Sequence, residues 1–192
     1  MTLHAEAEPA PSVEPSDAAL VEGLRDGDSA AGETLVRRHH EPLMRYLRRL
    51  VGNQAAEELC QLTWLSVLDH IGRFSPGSTG GGFKAWLYRI ATNKAHDHWR
   101  ASAREKVARD GLRLAADPVA PAAGHRIEHA EHAARLQRAL EQLPANQREV
   151  LLLRFYSDMK FVEIAEVLGC PLNTALGRVH KAVLKLRKLL AD

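Results

Sequence analysis

The chain has 192 residues, 45% of them hydrophobic, and a formal net charge of only +2 from 26 Lys and Arg against 24 Asp and Glu. That is enough apolar material for one core or two small ones, and no apolar run reaches the length of a membrane span or follows a basic start as in a secretory signal. Cys60 and Cys170 lie far apart inside apolar patterns, which excludes a disulfide framework and leads us to expect reduced thiols in a cytoplasmic protein.

Residues 1–16, rich in Ala, Glu and Pro, read as a disordered acidic tail. Ser16 or Asp17 can cap a short helix ending at Arg25. A second helix is expected from Ser29, with Ser29 itself as cap, through Leu35, Leu43 and Leu50. Pro42 should kink it or break it in two. Gly52-Asn53 marks a stop. Residues 55–71 then form an amphipathic helix, with Leu59, Leu62, Leu65 and Leu68 as its apolar positions. Residues 72–82 are a loop rich in Gly and Ser, and 83–104 a long helix whose Phe83, Trp86, Leu87 and Ile90 face a core. Periodicity is lost over 107–124, which reads as an interdomain linker. Helices are expected again over 125–143 and 145–156.

The last stretch, FVEIAEVLGCPLNTALGRVHKAVLKLRKLL, reads as helix, tight turn and basic helix. Gly169 ends the first helix, Pro171 cannot continue it, and Asn173 or Thr174 can cap the next. Leu172, Leu176, Val179, Val183, Leu186 and Leu190 repeat at helical spacing; Thr174, Arg178, Lys181, Lys185 and Lys188 fall on the other face. A cationic helix behind a short turn is what a major groove accepts. No strand alternation appears anywhere, so the fold class is all-α, as two small helical domains with a helix-turn-helix in the second.

The modest net charge hides an asymmetry. Residues 1–33 hold eight acids against Arg25 alone, residues 83–113 hold eight cations against three acids, and residues 173–190 hold five cations and no acid. Two separate basic segments point to a polyanion touched at two places.

The order of segments resembles bacterial RNA polymerase sigma factors of the extracytoplasmic-function group, over residues 17–190. Leu143, Pro144, Gln147, Arg148, Ile164, Ala165, Leu168, Gly169, Thr174 and Arg178 match the group's promoter-reading C-terminal pattern. AAEELCQLTWLSVLDHIGRF is similar to its polymerase-binding helix. FKAWLYRIATNKAHDHWRASAR is similar to its −10-reading helix, with Trp86, Leu87, Ile90, Asn93, Asp97 and Arg100 on the pattern.

The resemblance implies an N-terminal domain over 17–106 that binds core polymerase and melts the −10 element, and a C-terminal domain over 125–192 that reads the −35 element. Glu57, Glu58 and Gln61 would contact polymerase. Lys84, Arg89, Asn93, Lys94, Arg100 and Arg104 would serve the −10 element, where bases leave the stack and need a pocket and a positive groove. Asn173, Thr174, Arg178, Lys181 and Lys185 would serve the −35 element, Arg178 on a guanine edge or a phosphate and Lys181 on a phosphate. Trp86 shares the apolar stripe with Ile90 and reads as core. Asn93 and Asp97, one turn apart, either brace the domain or touch DNA.

The chain departs from the group's pattern at three places. Gln61 is followed by Leu62 rather than an acid. The loop SPGSTGGG is unusually rich in glycine. Gly177 stands where a Ser commonly precedes the Arg; mid-helix it costs about 1 kcal/mol relative to Ala, and we expect it to let the backbone approach DNA.

No catalytic constellation and no cofactor site is evident. His125, His129 and His132 share one helical face, but without Cys or carboxylate partners at ligand spacing no metal is assigned. The implied partners are core RNA polymerase, promoter DNA and, by the resemblance alone, an anti-sigma factor, with no membrane insertion. The alternative is a helix-turn-helix regulator that does not act through core polymerase. A LuxR-like one would carry an α/β sensory domain upstream, and residues 17–104 show no strands.

Overall fold

The computed structural model describes residues 14–75, 82–110 and 127–191. Among these the regular structure is helical throughout: α1 (Asp17–Arg25), α2 (Ser29–Val51), α3 (Asn53–His70), α4 (Gly82–Asp110), α5 (Ile127–Glu141), α6 (Ala145–Phe155), α7 (Phe161–Val167) and α8 (Leu172–Ala191), with one 3-10 turn at Ile71–Arg73. None of the described helices is long and apolar enough to cross a membrane.

Helices α1–α4 pack as one bundle and α5–α8 as another. The first is built on Leu43, Tyr46, Leu47 and Leu50 of α2, which meet Leu59 and Val67 of α3 and Leu87, Tyr88 and Ala91 of α4, all buried. The second centres on Val150, Leu152 and Leu153 of α6, closed over by Ile164 of α7 and by Ala175 and Ala182 of α8. The bundles touch: α6 lies against α2 and α7 against α4. Polar bonds accompany that contact. Arg148 donates to the Leu50 carbonyl at 3.4 Å, Arg49 stacks 4.1 Å above the Tyr156 ring, and His96 Nε2 lies 2.6 Å from Glu149 Oε1.

Several local expectations are corrected. Pro42 does not break α2, which runs unbroken from Ser29 to Val51. Leu35, His39, Leu43, Tyr46 and Leu50 keep one buried stripe across the proline, and that packing outweighs the lost backbone bond. The cap of α2 is Asp28, whose carboxylate accepts from the Ala30 N–H at 2.9 Å, rather than Ser29. Helix α4 continues to Asp110, so the first residues of the expected linker are helical; residues 111–126 lie outside the described part.

Helix α1 is fastened by charge. Ser16 caps it, and Asp17 lies 2.7 Å from His39 Nε2 and accepts from Arg38 at 2.6 Å. The hydrogen bond with His39, helped by Arg38, holds the Asp17 carboxyl below the ordinary aspartate range in spite of partial burial. A lowered folded value contributes stability that is present above the unfolded value and lost as pH falls through the folded one. Asp17→Asn is therefore expected to cost about 1–3 kcal/mol at neutral pH. The difference from the parent chain should shrink as pH drops below the ordinary aspartate range and through the lower folded value, which urea melts at a series of pH values would read. An undiminished difference at acid pH would rule this origin out.

Candidate nucleic-acid interface

The helix-turn-helix is built by its punctuation. The Lys160 N–H donates to Glu163 at 2.6 Å and opens α7. At the far end Gly169 takes φ +57°, the Cys170 N–H donates to Ala165 at 3.0 Å, and the Gly169 N–H donates to Glu166 at 3.2 Å. These two bonds satisfy the last carbonyls of α7 and swing the chain into α8. Asn173 and Thr174 do not cap α8, because the helix starts at Leu172 and both stand in its first turn, with the Thr174 N–H bonded to the Pro171 carbonyl at 2.9 Å.

The apolar stripe of α8 is also rotated from its expected place. Ala175 and Ala182 are fully buried, and Val179, Val183, Leu186 and Leu189 pack beside them, while Leu172 and Leu176 are exposed. The open face carries Asn173, Thr174, Lys181 and Lys185. Arg178 is half-buried on the flank. There it acts on Glu149, whose carboxyl is pushed above the ordinary glutamate range by burial, against the pull of His96, Arg178 and Arg148. Arg178 thus adds positive charge near the Glu149 carboxyl, and Lys181 is exposed on the open face.

On α4, Phe83, Ala85, Leu87, Tyr88 and Ala91 face the core. At 3.6 residues per turn, Arg89, Asn93, Arg100 and Arg104 share the opposite side with Trp86, whereas Lys84 falls about half a turn away. Arg89, Asn93, Arg100 and Arg104 are exposed, and Lys84 and Lys94 are partly covered. Arg100 donates to Asp97 at 2.7 Å on an exposed surface, a pair that DNA could displace at little cost. Trp86 is half-buried at the edge of the core, its ring 5.0 Å from Phe74 and 6.0 Å from Phe83, and its remaining surface lines an open cleft.

Between the end of α3 and α4 lies an open cleft of about 370 Å³. Trp86, Ile90, Asn93, Lys94 and Asp97 form one wall; Ser66, His70 and Arg73 form the other. Asn93 and Asp97 are thereby brought together in a solvent-open recess; Arg89, Arg100 and Arg104 lie outside it. The sequence reading missed the His70 and Arg73 wall, whose only signal was a pair of polar residues beside Gly72. Arg25 holds that wall from behind, donating to the Ile71 carbonyl at 3.0 Å and to the Phe74 carbonyl.

Helix α3 presents the third surface. Its core side is Ala56, Leu59, Cys60, Thr63 and Val67. Leu65 and Leu68 are 56% and 55% exposed and Leu62 is 39% exposed, so three of the four leucines expected in the core face outward. Glu57, Glu58 and Gln61 are exposed on the same helix and continue that face toward its N-terminus. The result is an acidic half-turn followed by a leucine strip, a shape suited to a partner with basic and apolar residues.

Among the described residues no three His, Cys, Asp or Glu side chains converge as metal ligands; His125 and the side chains of His129 and His132 lie outside the described part.

Comparison with known proteins follows the same division. The family profile described as Sigma-70 region 2 matches residues 35–105, and that described as Sigma-70, region 4 matches residues 133–186. The ECF RNA polymerase sigma factor SigE of Mycolicibacterium smegmatis is 34% identical over 189 residues, 94% of this chain and 70% of the relative. RNA polymerase sigma factor CarQ of Myxococcus xanthus is 34% identical over 174 residues, 90% of this chain and 96% of the relative. Among solved structures, CnrH in complex with the cytosolic domain of CnrY aligns with TM-score 0.69 at 26% identity, covering 91% of this chain and 97% of that one. The sigma factor RpoE in complex with the anti-sigma factor NepR from Bartonella quintana aligns with TM-score 0.69 at 26% identity, covering 83% and 96%.

Proposed function

Because the chain belongs to the extracytoplasmic-function group of RNA polymerase sigma factors, we propose that its three surfaces divide the work of promoter-specific initiation. The outward face of α3, with Glu57, Glu58, Gln61 and the leucine strip, docks on core RNA polymerase. The exposed side of α4, with Arg89, Asn93, Arg100 and Arg104, follows the −10 DNA, and the cleft beside it receives an unstacked base. The open face of α8, with Asn173, Thr174, Lys181 and Lys185, reads the −35 element in the major groove. Such work is done in the cytoplasm, by a transcription initiation factor rather than an enzyme.

The observation that carries this reading is the order of surfaces along the chain. The acidic and leucine face and the cleft both fall inside the region 2 match, and the cationic open helix inside the region 4 match. A helix-turn-helix regulator independent of polymerase accounts for α7 and α8 alone and leaves α3 and the cleft without a purpose. Physically, the division is sensible. Phosphate contacts from dispersed cations give affinity and register, whereas extraction of a base costs a few kcal/mol and needs a shaped recess with polar groups. Asn93 offers both a donor and an acceptor to a base edge, and Lys94 supplies positive charge nearby. An anti-sigma partner is part of the proposal, as the RpoE structure just described is a complex with one.

Site-specific photocrosslinkers would test the assignment within the holoenzyme on promoter DNA. A crosslinker in place of Lys181 should label duplex near −35, and one in place of Arg104 the non-template strand near −10. Crosslinks at exchanged positions, or none from Lys181 in an initiating complex, would overturn it.

A further inference from the structure

We propose that Gly177 is a specificity-determining position of the −35 reading helix, one that lets α8 seat deeply enough for the short Asn173 side chain to reach a base edge. This rests on the −35 assignment above and deepens it. The buried ridge of α8 runs through Ala175, Val179, Ala182 and Leu186. At 3.6 residues per turn, Gly177 falls almost opposite that ridge, with Asn173 one turn before it and Lys181 one turn after. All three are exposed.

Nothing inside the folded chain asks for glycine there. A Cβ at residue 177 would meet no atom within 4 Å, so neither a neighbouring helix nor a buried side chain claims the space. Its backbone is not among those with positive φ, which on the described residues are Gly27, Gly52, Gly82, Gly169 and Asp158. It is an ordinary interior helical residue, at a site where alanine would favour the helix. The chain therefore carries a helix penalty that its own packing does not return, in the middle of the face it presents outward.

A body that approaches from outside does account for it. In a major groove, the side chains between helix and bases set how close the helix can come. Asn173 is short, and the bidentate pairing of an asparagine amide with adenine N6 and N7 requires the backbone near the base edge. A bare Cα at the centre of the face permits that approach, while the longer Lys181 still reaches a phosphate. Arg178 is partly covered and lies about 100° around the helix from Gly177, on the flank of that face rather than at its centre.

The test uses the full chain with core polymerase and a promoter pool randomised across the −35 region, with initiated transcripts sequenced. On the sequence that the parent chain selects, Gly177→Ala should melt at a higher temperature, form holoenzyme as the parent does, and yet initiate about tenfold less, the size of one lost bidentate base contact. Asn173→Ala should show a similar loss, and the double variant should be no worse than either single one, since both remove the same contact. Undiminished initiation by Gly177→Ala, or losses that multiply in the double variant, would overturn the inference while leaving the −35 assignment in place. A parent chain with no preference at −35 would overturn both.

Discussion

Leu65→Gln with Leu68→Gln is expected to weaken binding to core RNA polymerase by about tenfold to a hundredfold, with the fold unchanged. Both side chains are more than half exposed in the free chain, so replacing them with another good helix former removes no core contact. Full burial of a leucine is worth about 1.5–3 kcal/mol, and with about half of each surface left to cover the pair contributes about 1.5–3 kcal/mol, which corresponds to about tenfold to a hundredfold in affinity. Glutamine keeps the charge of the face constant, which separates the apolar contribution from the acidic one. Glu57→Gln with Glu58→Gln should instead slow association and weaken its dependence on salt. Anisotropy of the labelled chain titrated with core enzyme reads both, with thermal melts as the control. Full affinity in the leucine variant would mean that α3 docks elsewhere or not at all.

The second large effect is expected at the cleft. Asn93→Ala should reduce open promoter complexes by about tenfold to a hundredfold while leaving duplex binding through α8 intact. Asn93 is exposed at the cleft wall and makes no core contact, so its loss should not unfold α4. The cost of unstacking decides the outcome. On native duplex the protein must offset it, and losing a paired amide shifts the opening equilibrium. On a template already mismatched over the −10 region that cost is absent, and both chains should hold it open. Permanganate reactivity of unpaired thymines measures the outcome. Equal opening of native duplex by variant and parent would remove Asn93 from the recess, and an equal deficit on the mismatched template would assign it a role other than opening.

What was legible in the sequence, and what was not, follows from how helices pack. The helix-turn-helix could be read because its turn depends on local chemistry: Gly169 at positive φ and Pro171 after it are visible as letters. The helical class was equally plain from periodicity. The apolar faces of α3 and α8 were misjudged for one shared reason. Where helices lie close, many of the buried positions are small, Ala56, Cys60 and Thr63 beside Leu59 and Val67 on α3 and Ala175 and Ala182 on α8, and several larger leucines are left outside. A leucine stripe alone does not say whether its partner is the chain's own core or another protein. The break expected at Pro42 is absent because the proline rule is local, and the packing that keeps α2 whole comes from residues far along the chain. The pairing of His96 with Glu149 joins residues 53 apart, and neither has a neighbour in sequence that announces the other. The His70 and Arg73 wall of the cleft is of the same kind, since its meaning arises only when α4 lies across it.

The central claim is that this chain confers promoter-dependent initiation on core RNA polymerase. Purified chain, core enzyme and a pool of promoter templates, followed by sequencing of the transcripts, put it to a direct test. Transcripts well above core enzyme alone are expected, starting at a fixed distance from a shared pair of motifs near −35 and −10. Transcription no greater than core alone, from a chain that melts cooperatively and is folded, would contradict it.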